Sequence, residues 1–135
     1  MKFTYFRFLM FILWNAPMLA RAATQNKLPF VCEAMAAKWN NGILNQVANE
    51  KGYDYTKLMG NKLAYIEVKA SCSNEFSSMK SKFGNCDYFH FIDLRTGRHA
   101  ILPHDVVKET TTGRKGDSWY LTKERNQLFE EYVND

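Results

Sequence analysis

The chain has 135 residues, of which 46% are hydrophobic and 15% aromatic, and its formal net charge is +4. This length suits a single domain. Three basic residues (Lys2, Arg7 and Arg21) lie in the first 22 positions, so the remainder carries 15 basic and 14 acidic side chains, a net charge of +1. Because a near-neutral domain lacks a strong basic surface, we expect no nucleic-acid partner.

The first 22 residues have the three parts of a cleavable secretory signal peptide. Lys2 and Arg7 form a positive start, residues 8–14 form an apolar run, and the small residues Ala20 and Ala22 precede a cleavage site. This pattern predicts export, with residues 23–135 as a single mature domain in the periplasm or outside the cell. We expect no membrane association once the signal peptide is removed.

Three cysteines, Cys32, Cys72 and Cys86, lie in the predicted mature domain. An oxidising compartment allows two of them to pair. Cys72 and Cys86 flank a polar segment, so we expect a disulfide between them and a free, buried thiol at Cys32. Because the chain has no CxxC or HxxxH pair, we expect no metal site, and no motif indicates a cofactor.

The first predicted element of the mature domain is an amphipathic helix over residues 30–47, where apolar residues recur every four positions. Asn40, Asn41 and Gly42 weaken its middle and leave open a helix pair. Residues 53–62 are predicted to connect this helix to the next element. Residues 63–70 then alternate as a strand whose Tyr65, Glu67 and Lys69 face water.

A β-hairpin at about residues 87–102 is the next predicted element. Asp93 can accept hydrogen bonds from the N–H groups of the turn, and Gly97 can adopt the positive φ that the corner needs. Residues 105–117 resemble an exposed loop, 118–122 a further strand, and the end of the chain a helix or a short strand. The fold class is therefore α+β, with the helix or helix pair packed on a small antiparallel β-sheet.

The run from Cys86 to Arg98, with a cysteine before an aromatic strand and an Asp-x-x-Thr-Gly turn, resembles small exported bacterial proteins of poorly defined function. The resemblance covers about residues 60–103 and assigns no active site. The polar segment between Cys72 and Cys86 departs from the compact, glycine-rich cysteine cluster of that group. Proteins of this build are often inhibitors or immunity proteins, and the resemblance implies such a role by analogy.

Only one group of residues suggests acid–base chemistry. His90, His99 and His104 lie within fifteen positions of one another, with Asp93 among them. On a hairpin, His90 and His99 could face each other, so that one imidazole accepts a proton while the other donates one. Structural roles are the commoner use of histidines in strands, so we assign no catalytic residue, and these four are candidates only for a hydrolase.

The sequence therefore favours a small exported protein that binds another protein, most concretely an immunity-type inhibitor of a toxic effector or an envelope enzyme. The first alternative is a secreted hydrolase or nuclease that uses His90, His99 and His104. A module that binds an envelope ligand is a further alternative.

Overall fold

The computed structural model describes residues 28–45, 53–112 and 116–131, with the backbone alone for residues 28–31. The predicted signal peptide lies outside these residues. Within them, no helix is long and apolar enough to cross a membrane.

The fold is of the α+β class, and the described residues form two helices and two sheets, whose strands have at most ten residues each. Helix α1 is Leu28–Trp39 and helix α2 is His104–Thr110. The strands are β1 (Ile43–Leu44), β2 (Tyr55–Met59), β3 (Lys62–Ser71), β4 (Glu75–Phe76), β5 (Tyr88–Asp93), β6 (Arg98–Pro103), β7 (Trp119–Tyr120) and β8 (Glu130–Glu131). Short 3₁₀ helices lie at Lys80–Lys82 and Arg125–Leu128.

The main sheet has six strands in the order β1-β2-β3-β5-β6-β8, and β4 pairs with β7 in a second sheet. The sheet is mixed, because β3 and β5 run parallel while the other neighbouring strands run antiparallel. The prediction of an antiparallel sheet is therefore wrong at its centre. The chain crosses over through β4 and the first 3₁₀ helix between the two parallel strands, a connection that no local pattern reveals.

Two apolar clusters cover the two faces of the main sheet. On one face, α1 packs through Met35 and Ala36 against Ile66 and Ile92. On the other, Trp119 is the largest buried side chain, and it joins residues of β4, β5, α2 and the C-terminal segment. Successive side chains of β5 pack alternately in one cluster and in the other, so this strand is buried on both sides.

The predicted long helix or helix pair is replaced by one shorter helix. Helix α1 ends at Trp39, Asn41 has a φ of 54°, and the Gly42 N–H donates to the Ala37 carbonyl oxygen over 2.7 Å. A Cβ on Gly42 would lie 2.3 Å from the Tyr55 ring. Glycine is therefore required where the chain turns out of the helix into β1.

The hairpin prediction is confirmed, with β5 and β6 paired from Tyr88–Pro103 to Asp93–Arg98. The Asp93 carboxylate accepts from the Arg95 N–H over 3.0 Å, and Gly97 has a φ of 74°. The strand over 63–70 is also confirmed, as β3. The predicted connection over 53–62 instead contains β2, and helix α2 occupies the first part of the predicted loop over 105–117.

The predicted Cys72–Cys86 disulfide is not formed, because all three cysteines are free. Cys72 follows the end of β3, whereas Cys86 precedes β5 at the level of Ala64 in the parallel register. Eight strand residues separate these two levels, a distance of about 26 Å. Since a disulfide needs Cα atoms within about 7 Å, the parallel crossover keeps these two cysteines apart. Cys32 is buried, as predicted.

Candidate active site

The two histidines of the hairpin do come together, as their predicted positions on adjoining strands suggested. His90 Nε2 and His99 Nδ1 lie 2.8 Å apart, and the rings are 5.0 Å apart between centroids. His99 pairs with Ile92 across the hairpin, so the two imidazoles are diagonal neighbours on the same face of the sheet.

A line of side-chain hydrogen bonds runs from this pair through the buried Tyr55 to the half-buried Asn40 and Lys57. The Tyr55 hydroxyl lies 2.7 Å from His90 Nδ1, Asn40 Nδ2 donates to that hydroxyl over 2.9 Å, and Lys57 Nζ donates to Asn40 Oδ1 over 2.6 Å. His90 is completely buried. Burial, the neighbouring His99 and then Lys57 hold the pKa of His90 well below its ordinary value. A neutral, enclosed imidazole cannot touch a substrate, so His90 orders the core.

The other two candidates lie apart from this pair. His104, at the start of α2, contacts the Phe83 carbonyl oxygen and lies 2.9 Å from the Asp105 carboxylate. Asp93 is buried and binds the Arg95 guanidinium through both carboxylate oxygens. The four residues of the predicted hydrolase site therefore form three separate groups, each with structural partners.

A second set of titratable residues, which sequence reasoning did not select, surrounds the junction of α1, β2 and β3. Asp54 lies directly before β2, and its carboxylate accepts from the Val68 N–H over 2.7 Å. Glu33 on α1 and Glu67 on β3 lie close enough to this carboxyl to influence its pKa. We call Glu33, Asp54 and Glu67 the carboxylate cluster.

Two lysines border the carboxylate cluster. Lys69 follows Glu67 by two positions, so both side chains leave β3 on the same face, and Lys69 Nζ donates to the Ser78 carbonyl oxygen. Lys82, on the first 3₁₀ helix, places Nζ 3.3 Å from Glu67 Oε1. Burial is the main cause that lowers the pKa of Lys69, although Glu67 opposes it.

The protein environment raises the pKa values of the two inner acids. Burial, followed by the hydrogen bond and negative charge of Glu33, raises the pKa of Asp54 to about 8. Burial and then the charge of Asp54 raise the pKa of Glu67 to about 7, although Lys82 opposes this. Glu67 is only 4% exposed. Acids with such shifted pKa values, held together near lysines, are typical of functional sites.

The prediction that Glu67 faces water is therefore wrong. Alternation correctly placed it opposite Ile66 and Val68, but the crossover after β3 covers that face at Glu67. A Glu-x-Lys pair within an otherwise apolar strand is the signal that could have identified Glu67 and Lys69. Asp54 carried no such signal, because its strand partner is visible only in the register of β2 and β3.

The carboxylate cluster could hold a hard cation. In the parts of the chain that the structure describes, no three or more histidine, cysteine or acidic side chains form a ready metal-binding group. Mg²⁺ nevertheless needs only one or two carboxylates, because it keeps several waters and shares phosphate oxygens of its substrate. Asp54 and Glu67 satisfy that requirement. The chain matches no protein-family model and no curated protein.

Proposed function

We propose that this protein is a metal-assisted hydrolase of phosphodiester bonds, with nucleic acid as its substrate. The observation that carries the proposal is the placement of two carboxyls at neighbouring strands: that of Asp54 is held at the Val68 N–H over 2.7 Å, and that of the buried Glu67 lies 3.3 Å from Lys82 Nζ. A divalent cation held by Asp54 and Glu67 would supply Lewis-acid stabilisation for the negative charge that develops on the phosphoryl oxygens. The reaction adds water: its oxygen forms a new bond to phosphorus while the bond to the leaving oxygen breaks. The expectation of no nucleic-acid partner rested on net charge alone, and a cation would supply the local positive charge that this near-neutral domain lacks.

The remaining groups have roles that follow from their positions. Lys69 can donate a proton to the leaving oxygen as its bond to phosphorus breaks. Lys82 pairs with Glu67 Oε1 and favours its ionised form, which is the form that binds a cation. Glu33 lies near Asp54, as its influence on the pKa of that acid indicates, and it can accept the proton that the attacking water loses. This proposal retains the hydrolase class that the histidines gave as the first alternative, and it assigns the chemistry to the carboxylate cluster instead.

Cleavage of labelled DNA and RNA oligonucleotides in millimolar Mg²⁺ or Mn²⁺ tests the proposal. We expect cleavage that EDTA abolishes and that Asp54→Asn, Glu67→Gln and Lys69→Met each reduce by at least about 100-fold. Glu109→Gln, an exposed acid on α2, is the matched control and should retain full activity. Intact oligonucleotides under all these conditions would refute the proposal.

Metal binding provides a second readout that does not depend on finding the right substrate. A ligand that binds only the folded state raises its melting temperature. We expect Mg²⁺ to raise the melting temperature of the wild-type protein and of Glu109→Gln, but not that of Asp54→Asn or Glu67→Gln. Equal shifts in all four proteins would show that the ion binds elsewhere.

A second candidate function is binding to another protein, including the immunity-type inhibition of a toxic effector that the sequence favours. The observation that supports it is an exposed apolar patch formed by Ile43, Leu58, Leu63 and Tyr65, which are 71%, 67%, 44% and 38% exposed. Ile43 and Tyr65 flank Thr56, and Leu58 pairs with Leu63, so all four share one face of β1–β3. Contiguous exposed apolar groups are typical of protein interaction sites.

Co-purification from a periplasmic extract tests this second candidate. We expect a protein partner that the wild-type chain retains and that a Leu58→Ser/Leu63→Ser variant loses. Val106→Ser is the matched control, because Val106 is 48% exposed on α2. Retention of the same partner by the double variant would exclude the patch as its binding surface.

Export remains part of the proposal, with a periplasmic or secreted mature protein. Mass spectrometry of the protein recovered from its native compartment should give an N-terminus at Ala23. A chain that keeps Met1 would contradict this.

A further inference from the structure

A cavity of about 360 Å³ lies between the β5–β6 turn and the segment that follows β7. Arg95 and Thr96 line it from the turn, and Thr122, Lys123 and Asn126 line it from the other side. Arg98 connects the two walls, because its Nη1 donates to Asn126 Oδ1 over 3.0 Å. The two walls are therefore held at a set separation.

The two threonines of the cavity have their oxygen atoms already engaged as acceptors. Thr96 Oγ1 accepts from the Arg98 N–H, and Thr122 Oγ1 accepts from the Arg125 N–H, each over 3.2 Å. Neither hydroxyl donates to a described residue. Since a hydroxyl carries one donor, each threonine can still offer an O–H to a ligand.

The other lining groups are also left with donors. Asn126 uses its carbonyl oxygen for Arg98, which leaves its NH₂ group available. Arg95 binds Asp93 through Nε and Nη2, which leaves Nη1 available. Lys123 is exposed and forms no ion pair with the residues that the structure describes.

Asp93 is the one acidic residue that lines the cavity, and it does not make the net charge of the cavity negative. Asp93 is 2% exposed, and its two carboxylate oxygens accept three hydrogen bonds from Arg95. Its charge is therefore neutralised within the wall. Together with Arg95 and Lys123, the cavity carries a net charge of +1, and its free hydrogen-bonding groups are donors.

We propose that this cavity binds a compact oxyanion, such as phosphate, sulfate or a carboxylate group. Side-chain donors of different types line one space of net positive charge, and a ligand with several acceptor oxygens is the kind that can use several of them at once. The site lies on the β5–β6 turn and the segment around Thr122, apart from the carboxylate cluster. Anion binding there does not depend on the proposed hydrolase activity.

Titration with inorganic phosphate, monitored by amide NMR shifts, tests the site. Sulfate and acetate form parallel arms that distinguish a tetrahedral anion from a carboxylate, and chloride at matched ionic strength is the blank. We expect saturable shifts at Thr96, Thr122 and Asn126 with at least one of the three anions. Linear shifts that chloride reproduces would overturn the proposal.

Variants locate the binding to the cavity. Thr122→Val and Lys123→Gln should each weaken anion binding by about fivefold or more, the loss expected for one hydrogen bond. Thr122→Ser keeps the hydroxyl and should remain within about twofold of wild type, as should Lys108→Gln on α2. If Thr122→Val does not fold, Lys123→Gln and Thr122→Ser decide the question. Equal weakening by Lys108→Gln and Lys123→Gln would show general charge attraction and overturn the proposal.

Discussion

His90 Nε2 lies 2.8 Å from His99 Nδ1, and the outer imidazole of the pair packs against Trp39 with ring centroids 4.8 Å apart. One ring nitrogen must donate and the other accept, so at least one of the two imidazoles carries its proton on the nitrogen of this contact. His90 Nδ1 is also engaged, by the Tyr55 hydroxyl. The inner histidine thus joins β2, β5 and β6 through both ring nitrogens.

Removing this buried imidazole should destabilise the fold strongly. We expect His90→Ala to lower the unfolding free energy by about 2–4 kcal/mol, because it leaves a cavity and unpaired groups on Tyr55 and His99. Tyr55→Phe, which removes only the hydroxyl, should cost about 1–2 kcal/mol. Urea denaturation measures both. A His90→Ala protein as stable as wild type would contradict the hydrogen-bonded arrangement.

The same histidine should make stability depend on pH with a defined sign. Its pKa in the folded state is well below 6.5, so below pH 6.5 the unfolded chain binds a proton that the folded chain does not. Its stabilising contribution is therefore present above pH 6.5 and is lost as the pH falls.

The difference in unfolding free energy between wild type and His90→Gln isolates this effect from that of the acids, which act in the opposite direction. We expect the difference to shrink as the pH falls from about 7.5 to 5. Lys108→Gln provides the control, and its difference from wild type should not vary with pH. A constant His90→Gln difference would mean that His90 titrates normally.

Asp54 should trade stability for activity. Its pKa in the folded state is raised from 3.8 to about 8, so the stability that its protonated form provides is fully present below pH 3.8 and is lost progressively as the pH rises to about 8. The amide introduced by Asp54→Asn stays neutral at every pH, and its oxygen can still accept from the Val68 N–H. We expect Asp54→Asn to be more stable than wild type by about 1–3 kcal/mol at pH 9 without divalent metal.

Denaturation at pH 9 and at about pH 3 measures this effect, and the gain should disappear at about pH 3, where the aspartate is protonated in both the folded and the unfolded chain. Glu109→Gln should behave as wild type at both pH values. A loss of stability in Asp54→Asn at pH 9 would show that the charged carboxylate is required for the fold.

The three thiols should differ in reactivity. Cys72 is exposed, whereas Cys32 is buried and Cys86 is half-buried. Burial raises the pKa of both Cys32 and Cys86 to about 12, which removes the reactive thiolate. We expect iodoacetamide to modify Cys72 first in the native protein and all three thiols after unfolding. Mass spectrometry measures this, and a Cys72–Cys86 disulfide in the recovered protein would contradict the parallel register.

Much of the local structure was accessible from residue patterns. Alternation located β3, and the residues Asp93 and Gly97 located the β5–β6 turn, because both signals depend on neighbours along the chain. Helix α1 was correct in kind but too long, since the φ of Asn41 and the packing of Gly42 on Tyr55 end it. The strand β2 was missed because its exposed end interrupts the alternation.

The candidate site, unlike the local structure, could not be predicted from residue patterns. The histidine pair was anticipated from a local hairpin, yet its burial makes it part of the core. The sequence pattern places Asp54 in a connection and Glu67 on a strand face exposed to water. The two residues come close to each other only through the pairing of β2 with β3. Burial of Glu67 and its contact with Lys82 come from the crossover that follows β3.

By itself, the sequence of this protein determined its size, the near-neutral charge of the predicted mature domain and the hairpin that aligns His90 with His99. Each of these depends on composition or on residues a few positions apart. The parallel pairing of β3 with β5, the separation of Cys72 from Cys86 and the assembly of the carboxylate cluster were decided only by tertiary structure. The physical reason is that burial and strand pairing join distant segments, and both the pKa of Asp54 and the reach of a disulfide depend on those distant neighbours.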